Sequence, residues 1–146
     1  MPKRFTLAEA QRMIPEVDRL LRQALESKVE YEQAERAIQE SNERVRMLGG
    51  VMVDRKQALN NRSRREIGAE HLKSAIEAVQ ETGCVIKDLD IGLVDFPTLL
   101  RGVEVYLCWK LGEAGITFWH GVDEGFRGRK PIDQDFLDHH GGDRSQ

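Results

Sequence analysis

Residues 103–111, Val103-Glu104-Val105-Tyr106-Leu107-Cys108-Trp109-Lys110-Leu111, alternate strictly. Val103, Val105, Leu107, Trp109 and Leu111 fall on one face, and Glu104, Tyr106, Cys108 and Lys110 fall on the other. A period of two marks a half-buried β-strand. Gly112-Glu113-Ala114-Gly115 then reads as a hairpin turn, and Ile116 to His120 as the returning strand. A tight turn there pairs Leu111 with Ile116, Trp109 with Phe118 and Leu107 with His120. That register puts His120 on the apolar face and Cys108 on the opposite one, so it excludes a Cys108–His120 metal pair unless a bulge slips the pairing by one residue.

Upstream of this hairpin, Cys84-Val85-Ile86 is a short β-like run, and LDIGLVDFPTLLRG is expected as a loop with an extended piece at Leu93–Phe96. Before Gly83 the period changes to that of a helix. Thr6-Leu7-Ala8-Glu9 has the form of a capping box. From Leu7 as heptad position a, the d row is Ala10, Val17, Ala24, Tyr31, Ile38 and Val45, all apolar or aromatic. The a row begins Leu7, Ile14, Leu21 and then turns polar at Lys28, Glu35 and Asn42, so the apolar stripe narrows along the helix. Pro15 predicts a kink near Met13, or a break with a new helix starting at Pro15. Gly49-Gly50 ends the element. Residues 51–62 are ambiguous. Ser63-Arg64-Arg65-Glu66 reads as a second capping box, followed by a face of Ala69, Leu72, Ile76 and Val79 and a C-cap at Gly83. Downstream, from Pro131 onward, the chain is acidic and Gly-rich, which predicts a loosely held tail.

The expected architecture is therefore α+β: a long, kinked antiparallel helical hairpin plus a small antiparallel sheet from the C-terminal half. Residues 1–146 read as a single domain, with a helical arm over 6–83, a β-rich part over 84–130 and the loose tail over 131–146. A helix of about 42 residues spans roughly 60 Å, beyond the width of a compact globule of this chain length. It must project, pair with another helix or pair with another chain, and a homodimer is expected.

The 146 residues carry a formal net charge of −3, with 22 Lys/Arg against 25 Asp/Glu, which disfavours a protein coating nucleic acid. No apolar run approaches the ~18 residues needed to span a bilayer, and the N-terminus lacks a signal peptide's apolar core. A cytoplasmic location is the expectation. Seven of the nine aromatic residues follow residue 83, so chemistry is sought there. The two cysteines, Cys84 and Cys108, are too few for a disulfide framework or a Cys-only zinc site and are expected as reduced thiols.

Trp119-His120-Gly121-Val122-Asp123-Glu124-Gly125-Phe126 is the densest functional stretch. His120 and Asp123 are candidate metal ligands, and the imidazole with Asp123 and Glu124 has the chemistry of an acid–base set. Asp95, set between Val94 and Phe96, is a carboxylate among apolar neighbours, which implies either a charged partner or a functional role. Arg101 and Arg129 are its candidate partners. Asp88 and Asp90 read as turn caps, His71 as a helix-surface residue, and His139-His140 as part of the flexible tail. Arg55, Lys56, Arg62, Arg64 and Arg65 form a basic run without aromatics to stack bases, which reads as a solvated helix face. No phosphate loop, nucleophile elbow or His-Glu-x-x-His is present, and no motif implies a particular cofactor, although a divalent metal suits the His/Asp set.

FTLAEAQRMIPEVDRLL, VIKDLDIGLVDFP, VYLCWKLGE and WHGVDEGFRGRKPI together resemble the bacterial family catalogued as domain of unknown function 2203. The resemblance covers nearly the whole chain and implies a soluble bacterial protein, with no activity or site residues to carry over. Three function classes follow from the residues. The foremost is an interaction or scaffold protein acting through the amphipathic arm. The alternative is a small-molecule- or metal-binding protein, and thus a candidate enzyme, with a site drawn from Asp95, His120, Asp123, Glu124 and Arg129. The third is nucleic-acid contact through residues 55–65, which the net charge opposes.

Overall fold

The computed structural model describes residues 3–49 and 54–143. Two long helices, α1 (Leu7–Met47) and α2 (Arg55–Glu81), precede β1 (Val85–Asp88), β2 (Leu93–Leu100), β3 (Val103–Lys110) and β4 (Phe118–Gly121). A 3-10 turn at Phe126–Gly128, β5 (Lys130–Pro131), a short α3 (Gln134–His139) and β6 (His140–Gly141) complete the chain. The fold is α+β, a helical hairpin followed by an antiparallel sheet of order β1-β2-β3-β4-β5, with β6 also pairing β2. It divides into two compact units, Met1–Leu21 with Glu77–Gln146, and Arg22–Ile76.

The unit formed by Arg22–Ile76 is a pair of helices. The apolar d row of α1 is fully buried at Ala24 and only half-buried at Tyr31, Ile38 and Val45, following the narrowing stripe. Pro15 does not divide α1, which runs unbroken through it. The second helix starts at Arg55, with the Asp54 carboxylate accepting from Gln57 N–H at 3.1 Å, and not at Ser63 as the second capping box predicts. Positions 51–53 of the ambiguous stretch lie outside the described residues. The inward row of α2 includes Asn61, Gly68, Leu72 and Ala75, a spacing of sevens, fours and threes. Asn61 and Gly68 were invisible to an apolar count. Gly68 belongs there for a steric reason: a Cβ at this position lies 3.1 Å from the Tyr31 backbone nitrogen, so glycine lets the two backbones approach. Beside it, Arg65 of the basic run pairs with Glu35 at 3.1 Å.

In the other unit, Phe5, Ala10, Ile14, Val17 and Leu21 pack with Val79 against the inner face of the sheet. That face is Val94 and Phe96 of β2 and Val105, Leu107 and Trp109 of β3, joined in register as Val94↔Trp109 and Phe96↔Leu107. The α1 start is capped as the sequence predicts: Glu9 N–H donates to Thr6 Oγ1 at 3.1 Å and Thr6 N–H to Glu9 Oε1 at 3.0 Å. β2 is longer than the expected Leu93–Phe96 piece and is central. Pro97 fits inside it because its carbonyl, accepting from Phe5 N–H at 2.7 Å, faces away from β3, so the missing donor removes no ladder bond there. Arg101 and Gly102 both have positive φ (51° and 79°), forming a two-residue turn that matches strand twist.

The segment after Pro131 is not a loose tail up to Asp143. Phe136 is buried and lies 5.3 Å from the Trp119 ring. β6 pairs with β2 through Leu99↔Gly141 and Leu100↔His140. The His140 Nε2 accepts from Leu7 N–H at 3.0 Å, so this histidine closes the N-terminus of α1 and is not part of a loose tail.

Candidate metal centre

The connection between β3 and β4 decides the chemistry. It is not a tight turn. Glu113 folds back, its carboxylate accepting from Lys110 N–H at 2.7 Å and its carbonyl from Trp109 Nε1–H at 3.1 Å, while Ile116 N–H donates to Gln11 Oε1 at 2.9 Å. The backbone donors that a hairpin turn would use are taken, and β4 begins only at Phe118. The register becomes Cys108↔Phe118, Leu107↔Trp119 and Tyr106↔His120, one residue off the tight-turn pairing. A shift of one moves a side chain to the other face. His120 therefore leaves the apolar face and joins Cys108 on the outer one, and the predicted exclusion of a Cys108–His120 pair is overturned.

Asp95 stands directly across from Cys108 on β2. Donor atoms of Asp95, Cys108 and His120 all lie within 4.8 Å of one another, and the three residues are buried, at 0%, 1% and 4% exposure. The His120 Nδ1 lies 2.8 Å from the Gly121 carbonyl, which can only accept, so Nδ1 carries a hydrogen. That leaves Nε2 turned toward Asp95 Oδ1 at 2.9 Å. The second carboxylate oxygen, Asp95 Oδ2, is buried with no hydrogen-bond partner. Burial raises the Asp95 carboxyl above the ordinary range, with His120 partly offsetting it. Burial also pushes the Cys108 thiol up to about 11; the Asp95 charge adds to this and the neighbouring Arg129 partly offsets it. A neutral thiol of this kind is no nucleophile without an activating group.

The other predicted residues divide. Arg129 belongs beside the cluster: its guanidinium pairs with Glu113 through two nitrogens, each at 3.1 Å, and lies 4.0 Å from the Phe118 ring centroid and 4.3 Å from that of Phe126. It is not the partner of Asp95, and neither is Arg101, which pairs with Asp135 at 2.7 Å. Glu124 is drawn away. Its Oε1 accepts from Gly121 N–H at 3.0 Å and from Lys130 Nζ at 2.7 Å, and these bonds, Lys130 first, hold its carboxyl below the ordinary range. Asp123 is exposed on the turn after β4 and is not among the clustered donors; the structure brings His120 together with Asp95 and Cys108. Asp88 accepts from Asp90 N–H at 3.0 Å as a turn residue, and His71 is exposed. Cys84 lies in the apolar core, and both cysteines are free. The face of Cys108 relative to His120 follows from register, and Glu113 and Gln11 set that register through contacts that no local sequence pattern records.

The family model of the uncharacterized conserved protein family DUF2203 matches residues 3–132. The chain belongs to the DUF2203 family. The match takes in both helices, strands β1 to β5 and every residue of the buried cluster. Neither the curated proteins nor the solved structures provide a match to this DUF2203 chain. Among the described residues, no helix is long and apolar enough to cross a membrane.

Proposed function

We propose that this DUF2203 protein binds a divalent metal ion, zinc by the character of its donors, through Asp95, Cys108 and His120. The observation that carries this reading is the buried Asp95 Oδ2 without a partner, inside a cluster that also holds a thiol and an imidazole nitrogen. A buried carboxylate oxygen left unsatisfied is costly, and a cation removes that cost. One thiolate, one imidazole and one carboxylate form a borderline donor set that suits zinc over magnesium or calcium. Tetrahedral zinc bonds of ~2.0–2.3 Å place donor atoms about 3.3–3.8 Å apart, within the range the cluster spans.

The tautomer fits as well. A metal-binding histidine commonly gives its other ring N–H to a carbonyl, and His120 has this arrangement with Gly121. The ion would replace the hydrogen between His120 and Asp95 and the one on Cys108. When bound, zinc supplies Lewis-acid polarisation, and three protein ligands leave one position for a water or ligand.

Elemental analysis of the tag-free protein tests this, beside Cys108→Ser and His120→Ala. We expect close to one zinc per chain, lost in both variants. A folded chain that stays metal-free even after incubation with zinc would overturn the reading and leave Asp95 and His120 as a structural pair.

A second reading has its own observation. Val29, Leu59 and Ile67 of the helical unit are each at least half exposed, which favours an interaction surface on that pair of helices. On this reading the helices bind a second copy of the chain or another protein. Sedimentation at high micromolar concentration decides the first of these, since a monomer there removes the homodimer.

A further inference from the structure

The three-ligand centre leaves a coordination position, and the groups around it define what fills it. Arg129 lies over the ring of Phe118, 4.0 Å from its centroid, one strand across from Cys108. Its side chain is only 17% exposed, packed on the rings of Phe118 and Phe126 and gripped by Glu113. Phe118 is the direct cross-strand neighbour of Cys108, so this assembly is built onto the same row of the sheet as the metal ligands. A guanidinium has five N–H donors in a rigid fork. Glu113 takes donors from two of its nitrogens, which fixes the orientation of the fork.

Two lysines without an ion pair among the described residues border the cluster. Lys87 lies over the Tyr106 ring and Lys110 over the Phe126 ring, each at 5.7 Å. The Lys87 charge reaches Asp95. The acids nearby are already engaged: Glu113 by Arg129, and Glu104 by Arg4 at 3.4 Å. A zinc ion held by one carboxylate and one thiolate is formally neutral, and Arg129 is balanced by Glu113, so the surplus positive charge is that of Lys87 and Lys110.

Resting on the metal reading above, we propose that the open position of this centre takes a small oxyanion, a carboxylate or a phosphate, with Arg129 as the residue that recognises it and Glu113 as the residue that positions Arg129. The planar fork matches the two oxygens of a carboxylate or phosphate, and its preset orientation spares the ordering cost of a free arginine.

Cobalt(II) substituted into the full-length chain tests this by visible absorption. A cysteine-ligated tetrahedral cobalt has sulfur charge-transfer and d–d bands that report its fourth ligand. Acetate and inorganic phosphate are titrated separately, with chloride as the control for ionic strength. We expect saturable band shifts with at least one oxyanion and none with chloride at the same ionic strength. Arg129→Gln should weaken that affinity at least tenfold and Arg129→Lys by less, with the metal stoichiometry unchanged, and Glu113→Gln, which keeps an acceptor for the Lys110 N–H, by an intermediate factor. The acetate and phosphate arms separate the two oxyanions. A cobalt-loaded chain whose bands neither anion moves overturns the proposal while leaving the metal centre standing, as does an Arg129→Lys variant that binds as tightly as the parent. Absence of the charge-transfer band itself overturns the metal reading, and the oxyanion site with it.

Discussion

At the scale of single residues, the hydrogen between His120 and Asp95 dominates. Nδ1 is committed to the Gly121 carbonyl, so Nε2 meets Asp95 at 2.9 Å with one hydrogen between them. Both side chains are almost fully buried, and neither can turn to water. Removing one partner strands the other, which costs about 3–5 kcal/mol for buried pairs. We therefore expect His120→Ala to lower the stability of the metal-free protein by about that amount, measured by urea unfolding. A change under about 1 kcal/mol would show that the pair has little structural weight.

At the scale of elements, the start of α1 shows how a local sequence signal becomes an energetic one. The reciprocal bonds of Thr6 and Glu9 satisfy two amides that a helix end leaves open. The Thr6 N–H bond is the main cause holding the Glu9 carboxyl below its ordinary value of 4.5. The sign follows directly. A carboxyl with a lowered folded pKa binds protons more weakly in the folded state, so its contribution is complete above pH 4.5 and fades as the pH falls through the lower folded value. Thermal melts of the parent and Glu9→Gln should therefore differ at neutral pH and converge as the pH drops below the ordinary carboxylate range. A gap that stays constant down to pH 3 would place the effect outside the charge of Glu9.

At the scale of the whole molecule, the C-terminal segment closes the sheet-containing unit. Phe136 lies 5.3 Å from Trp119 and 5.2 Å from the His140 ring, while β6 extends the β2 side of the sheet. Asp143 joins this closure, its backbone N–H donating to the Arg4 carbonyl at 3.1 Å and its carboxylate accepting from Arg4 N–H at 3.0 Å. A fully buried aromatic truncated to alanine costs about 3–5 kcal/mol. Phe136→Ala should lose that much in denaturant unfolding; a loss under about 1 kcal/mol would mean the segment is dispensable to the unit.

The α1 stripe and its narrowing, the Thr6–Glu9 cap, the β3 alternation and the family are all legible along the chain. These depend on residues close along the chain or on periods that one element repeats. The sequence also singled out Asp95 and His120, because a carboxylate and an imidazole amid apolar neighbours need an explanation. The tertiary structure alone decided that the two meet, and that Cys108 joins them. Strand register is fixed by how Glu113 and Gln11 hold the connection between β3 and β4, and Gln11 lies 105 residues away from the Ile116 amide it binds. One residue of slip exchanges the two faces of a strand. So the makeup of the Asp95, Cys108 and His120 cluster depends on contacts that no local pattern records.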